Sequence, residues 1–314
     1  MAPRPSLIEL LLQQARDTVS LTARSAVGSR LTNDQSPMTN DHTMSDFIYC
    51  LNSSTIRPTP ILDKIRIAGE TGYSAIELWH DDIDLHLSKG GQLADIRKAA
   101  TDRGLTVPTT IYLKGWAEPD NAVRQREIDE CKRRMSQSVA VGALHVIAGP
   151  PPGACDRNFV AAKYAELLDI GLSIGVKPAF EYLGFVDDIN SIDAAIEIIT
   201  KSGHPQATVV LDPFHCFRGG AGFESIAKLK DSQIAISHFN DTPSSPPREQ
   251  QHDHSRVMPG EGHLDLRRYL DLLKQVGYRR WLSLELFRED LWASDPTTVA
   301  KQGLEKMRSV AEGR

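Results

Sequence analysis

Ala207-Thr-Val-Val-Leu-Asp212-Pro-Phe-His215-Cys-Phe-Arg-Gly-Gly220 is the stretch on which the fold turns. Its first five residues are apolar or β-branched without polar alternation, the pattern of a strand buried on both faces, and the run halts at Asp212, Pro213 and His215. A carboxylate and an imidazole three residues apart, just past the carboxyl end of a buried parallel strand, stand where α/β proteins gather their chemistry. An Asp at a strand end also serves turns, so the pattern gains its meaning from recurrence. Pro178-Ala-Phe-Glu181, Ile234-Ala-Ile-Ser-His238 and Trp281-Leu-Ser-Leu-Glu285 are three more short, mostly apolar runs, each ending in a side chain able to ligate a metal.

Outward from these runs, strand and helix patterns alternate from Phe47 onward. Strands are expected at 47–51, 74–79, 106–113, 143–148, 177–182, 207–211, 233–239 and 281–286, and helices at 60–71, 92–103, 122–141, 159–174, 192–201, 223–230, 264–276 and 297–311. Eight strand-helix units in about 270 residues predict a single (β/α)8 TIM barrel. The competing architecture, an open doubly wound sheet, would carry a Gly-x-Gly-x-x-Gly turn after its first strand. Here that strand runs into Asn52-Ser-Ser-Thr55 instead.

Residues 1–45 differ from the rest. They contain one amphipathic helical pattern, 7–23, and a polar stretch that has too few apolar residues to offset its ordering entropy. They are expected to form a mobile N-terminal extension or partner-binding arm ahead of one barrel domain, 46–314. A hydrophobic fraction of 40% and a charged fraction of 25% belong to a soluble globular chain, and the net charge of -5 provides no basic footprint for nucleic acid. No apolar run approaches the roughly 18 residues of a membrane span. Cys50, Cys131, Cys155 and Cys216 form no CxxC pair, which suits a reducing compartment and a cytoplasmic location. Cys216 itself reads as a small buried residue.

In a barrel all strands aim their carboxyl ends at one mouth, so Glu181, Asp212, His238 and Glu285 converge, although 31, 26 and 47 residues separate them in turn. Singly, each has a structural reading as well: a glutamate paired with a barrel arginine, a histidine donating to a carbonyl. Together, three carboxylates would repel one another unless a cation compensated them. Oxygen-rich coordination with one imidazole suits a divalent ion, Mn2+ foremost, with Mg2+, Co2+ or Zn2+ behind it. Lys114, at the expected end of strand 3, is a candidate to hold a substrate oxygen or carboxylate. A plain surface lysine is the other reading. Trp79 and Tyr182 read either as walls against a sugar or as core residues. His252-Asp-His254 resembles a second metal motif, but it sits in a polar loop, 240–262, read as a lid.

Phe180-Glu181-Tyr182, Leu211-Asp212-Pro213-Phe214-His215, Ser237-His238-Phe239-Asn240-Asp241, Arg256-Val-Met-Pro-Gly-Glu-Gly262, Leu284-Glu285 and the helix-strand pattern from Leu62 to Leu78 resemble the xylose isomerase-like TIM barrels. That group holds sugar isomerases, ketose epimerases, inosose and dehydroshikimate dehydratases, and endonuclease IV. The resemblance covers residues 46–312. It puts the family's metal ligands on Glu181, Asp212, His238 and Glu285, and it implies that His215 and Arg256 touch substrate. The repair enzymes' extra ligands are missing, since strand 3 runs into Tyr112-Leu-Lys114 and strand 4 into Gly149-Pro150. A homo-oligomer is plausible on family grounds.

The chemistry expected of such a site is proton transfer next to a carbonyl through a cis-enediolate held by the cation, with Glu181 and Glu285 as catalytic carboxylates on its two sides. The expected function is a metal-dependent isomerase or epimerase of a sugar or cyclic polyol ketone, with no nucleic-acid or membrane partner. The alternatives are a dehydratase of a cyclic hydroxy-ketone on the same site and, from another class, a non-catalytic metabolite-binding barrel.

Overall fold

The computed structural model describes residues 46–313; the expected N-terminal helix and the polar stretch up to residue 45 lie outside the described residues. The strands are β1 (Ile48–Asn52), β2 (Ala75–Trp79), β3 (Thr109–Leu113), β4 (His145–Ala148), β5 (Lys177–Glu181), β6 (Val209–Leu211), β7 (Ile234–His238) and β8 (Trp281–Leu284). Each pairs in parallel with the next, and β8 closes on β1 with Cys50 opposite Ser283 and Leu51 opposite Leu284. The protein is therefore a (β/α)8 barrel, as the strand-helix alternation predicts. No described helix is long and apolar enough to cross a membrane.

Side chains alternate between the barrel interior and the helix layer with the strand's period of two. Ile111, Ile147, Ala179, Val210, Ala235 and Ile236 pack together inside the barrel, while Phe180, Leu211, Leu282 and Leu284 face the helices. Continuing the inward parity toward the carboxyl ends leads from Ala179 to Glu181, from Val210 to Asp212, from Ile236 to His238 and from Ser283 to Glu285. The same parity on β2 brings Ala75, Glu77 and Trp79 inward. Toward the carboxyl end of the barrel, charged side chains and an imidazole thus replace the apolar layer.

Most expected helices form within a few residues of their expected limits, and side chains of Asp120, Asp156, Ser191, Asp265 and Asp295 cap their N-termini. The helix Leu266–Gln275 shows how such a layer is held: Leu266, Tyr269, Leu270, Leu272 and Leu273 are buried, at about 1.5–3 kcal/mol for each large apolar side chain. Several segments differ from expectation, among them an unforeseen short helix at Glu289–Trp292 and three others. A helix at His80–Ser88 precedes the expected one; its polar sequence, of which only His80 and Ile83 are buried, carries no apolar periodicity, and the Lys64–Asp82 ion pair at 2.6 Å fastens it. The strand stops before Asp212 as expected, and residues 213–218 then form a short unexpected helix, since Asp212 accepts from His215 N and Pro213 occupies the first turn. The segment expected as a helix at 223–230 is a 3-10 turn, Glu224–Lys228, with Ile226 its only buried residue.

Candidate metal centre and active site

Glu181, Asp212, His238 and Glu285 meet at the carboxyl end of the barrel, all buried. His238 Nδ1 lies 3.2 Å from Glu181 Oε1, 3.4 Å from Asp212 Oδ2 and 3.1 Å from Glu285 Oε2. Two sets of side chains offer atoms within 4.8 Å of one another: Asp212, His238 and Glu285, and Glu181, Asp212 and His215. Asp212 belongs to both. His215, expected only as a substrate contact, therefore also stands at ligand distance from the cage.

The donor set fits a divalent cation on an observation independent of spacing. Glu181 Oε1 and both ring nitrogens of His238 are buried yet make no aligned hydrogen bond. Burial drives the Glu181 carboxyl well above its ordinary range, with Glu285 and Asp212 adding to the shift and His238 opposing it. Burial also works against the charged forms of Glu285 and Asp212, but His238 and Arg256 hold both below the usual carboxylate range. Burial disfavours the His238 cation, yet Glu285 and Glu77 raise it well above an ordinary histidine. Three carboxylates crowded around one imidazole are the condition that a cation relieves.

Arg256 enters this cage directly. Its Nη1 donates to Asp212 Oδ2 at 3.0 Å and to Glu285 Oε2 at 2.5 Å, and Nη2 donates to Asp253 Oδ1 at 2.8 Å. The pairing of Glu285 with a barrel arginine is thus real and coexists with the cluster. His215 Nδ1 faces the Gly184 N–H at 3.2 Å while its Nε2 lies 3.1 Å from Arg256 Nη2. A neutral imidazole has one acceptor nitrogen, so only one of these donors is satisfied. Burial lowers the His215 pKa to about 4 against the pull of Asp212, which keeps the ring neutral near pH 7.

The loop bearing Arg256 is pinned rather than loosely polar. Asp241 bridges to Val257, and its carboxylate accepts from the N–H groups of Gly260, Gly262 and Leu264. A Cβ at Gly262 would come within 2.2 Å of Asp241 Oδ1, so only glycine fits this turn. Asp253 is engaged by Arg256, and His252-Asp253-His254 does not cluster as a metal site among the described residues.

A cavity of about 190 Å3 opens onto Glu181, His215, Arg256 and Glu285, with Trp79, Tyr112, Phe185 and Phe287 among its apolar walls. Trp79 is thus a wall, as one reading expected. Tyr182 is core, its hydroxyl donating to Asp212 O at 3.1 Å and lying 2.9 Å from the buried Cys216 Sγ. Lys114 does not line this cavity. It is exposed and faces a neighbouring one.

Residue patterns missed the support beneath the cage. Glu77, fully buried on β2, lies 3.3 Å from His238 Nε2, and its carboxylate accepts from Asn52 Nδ2 at 3.0 Å and from the hydroxyls of Thr109 and Ser283. Asn52 also donates to Glu285 Oε1 at 3.0 Å and accepts from Trp79 Nε1 at 2.9 Å. Asn240 Nδ2 donates to both oxygens of Asp212 at 3.3 and 3.2 Å. The signal that singled out the four candidate ligands, a carboxylate or imidazole in an otherwise apolar strand run, was present at Ala75-Ile-Glu77-Leu-Trp79 as well.

Comparison with known proteins agrees with this fold. The chain is 27% identical over 273 residues to an inosose isomerase of Bacillus velezensis, covering 83% of this chain and 96% of that one. A 3-dehydroshikimate dehydratase of Pseudomonas putida is 20% identical over 254 residues, covering 80% of this chain but 40% of the relative. Among solved structures, the IOLI protein with a bound zinc atom superposes with a TM-score of 0.79 at 24% identity, covering 85% of this chain and 98% of the other. The family model described as xylose isomerase-like TIM barrel matches residues 65–310, and the chain belongs to that family.

Proposed function

We propose that this protein is a divalent-metal-dependent isomerase or epimerase of a sugar or cyclic polyol ketone. In this reading Glu181, Asp212, His238 and Glu285 are the metal ligands, and Glu181 and Glu285 form the proton-transfer pair. The observation that supports it most is that both glutamates open into one small cavity while also facing His238. The inosose isomerase relative acts within the same substrate class, and its coverage spans nearly its whole length.

A bound divalent cation supplies Lewis acidity to a substrate carbonyl and its neighbouring hydroxyl. The chain does the rest. One glutamate takes the proton from the carbon beside the carbonyl and the other returns one, to the opposite face of that carbon for epimerisation or to the former carbonyl carbon for isomerisation, where the neighbouring hydroxyl gives its proton to the former carbonyl oxygen. Arg256 and neutral His215 hold substrate oxygens, and Trp79 and Phe287 cover the apolar face of the ring and exclude water. Mn2+ is the proposed ion on the grounds of its three carboxylates and one imidazole, and the zinc of the similar structure is its competitor. Free cysteines throughout the barrel accord with a cytoplasmic enzyme.

Dehydration of a cyclic hydroxy-ketone shares the first proton abstraction, and the dehydratase relative favours it as the second reading. One experiment tests both: 2-keto-myo-inositol and 3-dehydroshikimate, each with Mn2+-loaded protein in deuterated water. Deuterium entering beside the carbonyl without a rise in ultraviolet absorbance supports isomerisation or epimerisation, and a rise in absorbance supports dehydration. The absence of both with every sugar ketone tried rejects the proposal in favour of a binding barrel.

A further inference from the structure

Glu181, His215, Arg256 and Glu285 line the cavity of about 190 Å3. That is smaller than the roughly 300–1,000 Å3 of pockets that enclose a larger ligand, and it suits a single polyol ring. Past Tyr112, Leu183 and Phe185, which border both spaces, a second cavity of about 490 Å3 opens.

The walls of this second cavity are stiff and mainly apolar. Pro150, Pro151 and Pro152 form one side, and the Trp116 indole is anchored by donating to Gly149 O at 2.9 Å. At the doorway, a Cβ on Gly149 would lie 2.8 Å from the Tyr112 ring, so backbone and aromatic ring are in close contact there. Phe185 remains 37% exposed on the same border, an apolar surface that an occupant would cover. The charged side chains of the lining are Lys114, Glu118 and Glu127. An anionic group would meet two carboxylates against one ammonium, and a cationic group would lose its hydration against proline and indole.

Resting on the function proposed above and extending it, we infer that the second cavity is a substrate subsite for an uncharged, aryl-sized substituent carried by the hydroxy-ketone ring. The reacting ring lies in the inner cavity, and its substituent passes Tyr112 and Phe185 to lie against Trp116 and the prolines. Lys114, which lines this second cavity and not the inner one, then borders the substituent instead of the reacting carbons.

The test is calorimetric binding of phenyl and methyl β-D-glucopyranoside to the full chain with Mn2+. Two variants fill the outer cavity without touching the inner one, Pro151→Trp and Glu118→Trp, and unchanged melting temperatures show that they fold. Wild type is expected to bind the phenyl probe about tenfold or more tighter than the methyl probe, from apolar burial of the ring. That preference is expected to collapse in at least one folded variant while methyl affinity stays constant. Equal affinities in wild type, no binding of either probe, or a preference surviving in both variants overturns the subsite. A phenyl preference in a protein that turns over no hydroxy-ketone would instead retain the subsite and reject the proposed reaction.

Discussion

His238 sits between two kinds of carboxylate: its Nε2 lies 3.3 Å from Glu77 Oε2, and its Nδ1 faces Glu181, Asp212 and Glu285 across the other edge of the ring. A carboxylate behind a ligating imidazole fixes the ring and puts the proton on the far nitrogen, leaving the near one free to bind a cation. Glu77→Gln keeps the size of the side chain and removes its charge. Its affinity for Mn2+ or Zn2+, measured by titration calorimetry, is expected to fall about 10–100-fold with the fold intact. Unchanged affinity would mean that Glu77 serves only to fill the barrel.

Glu285→Gln removes one member of the proposed proton-transfer pair and one ligand. Turnover is expected to drop at least about a hundredfold, the usual scale for a positioned acid or base, while circular dichroism stays that of wild type. Wild-type rates of deuterium incorporation in this variant would sink the two-glutamate mechanism.

Arg256 is buried, and its Nη1 bonds both Asp212 and Glu285. Arg256→Met leaves those carboxylates without their cation, a loss on the order of 3–5 kcal/mol for a broken buried pair. In EDTA the variant is expected to melt well below wild type, and added Mn2+ is expected to recover much of the difference. A variant that melts with wild type in EDTA would show that the arginine carries no share of the compensation.

His80 provides a pH test away from the metal cage. It is fully buried, and its Nδ1 donates to Gln137 Oε1 at 2.9 Å, an oxygen left free because Gln137 Nε2 donates to Asp84. Burial lowers its pKa from the ordinary 6.5 to about 4, with Gln137 opposing that shift. The unfolded chain therefore takes up this proton first as pH falls. Its contribution to stability is whole above about pH 6.5 and is lost progressively between there and pH 4. At pH 5 the loss is about 2 kcal/mol relative to pH 7.5. His80→Asn keeps a donor toward Gln137 but does not titrate, so the pH 7.5-to-5 loss measured by urea unfolding is expected to shrink by that amount. An identical loss in both proteins would show that His80 is protonated in the folded state.

The four proposed ligands were legible because each is a local exception, a charged or imidazole side chain where a buried strand should end in an apolar one. The strand-end pattern pointed to His215 beside Asp212, but its role as a substrate contact, and the whole placement of Arg256, came from family likeness. His215 stands on a short helix, and Arg256 comes from a polar loop, read from sequence as a lid, in which Asp241 is occupied in pinning the turn at Gly260 and Gly262. Glu77 carried the same local signal as the ligands, but it lies mid-strand, where a carboxylate means something only if the barrel centre is polar at that depth.

The sequence by itself determined the barrel and the four ligand candidates, because alternation along a strand and turn chemistry at its end are written within a few neighbouring residues. Only the tertiary structure decided that Glu77 backs His238, that Arg256 shares the carboxylates, that Tyr182 is core while Trp79 is wall, and that Lys114 faces a second cavity. Those relations depend on strand stagger around a closed sheet and on how separate loops pack over its mouth. Contacts between residues dozens to hundreds of positions apart leave no periodic trace in the chain.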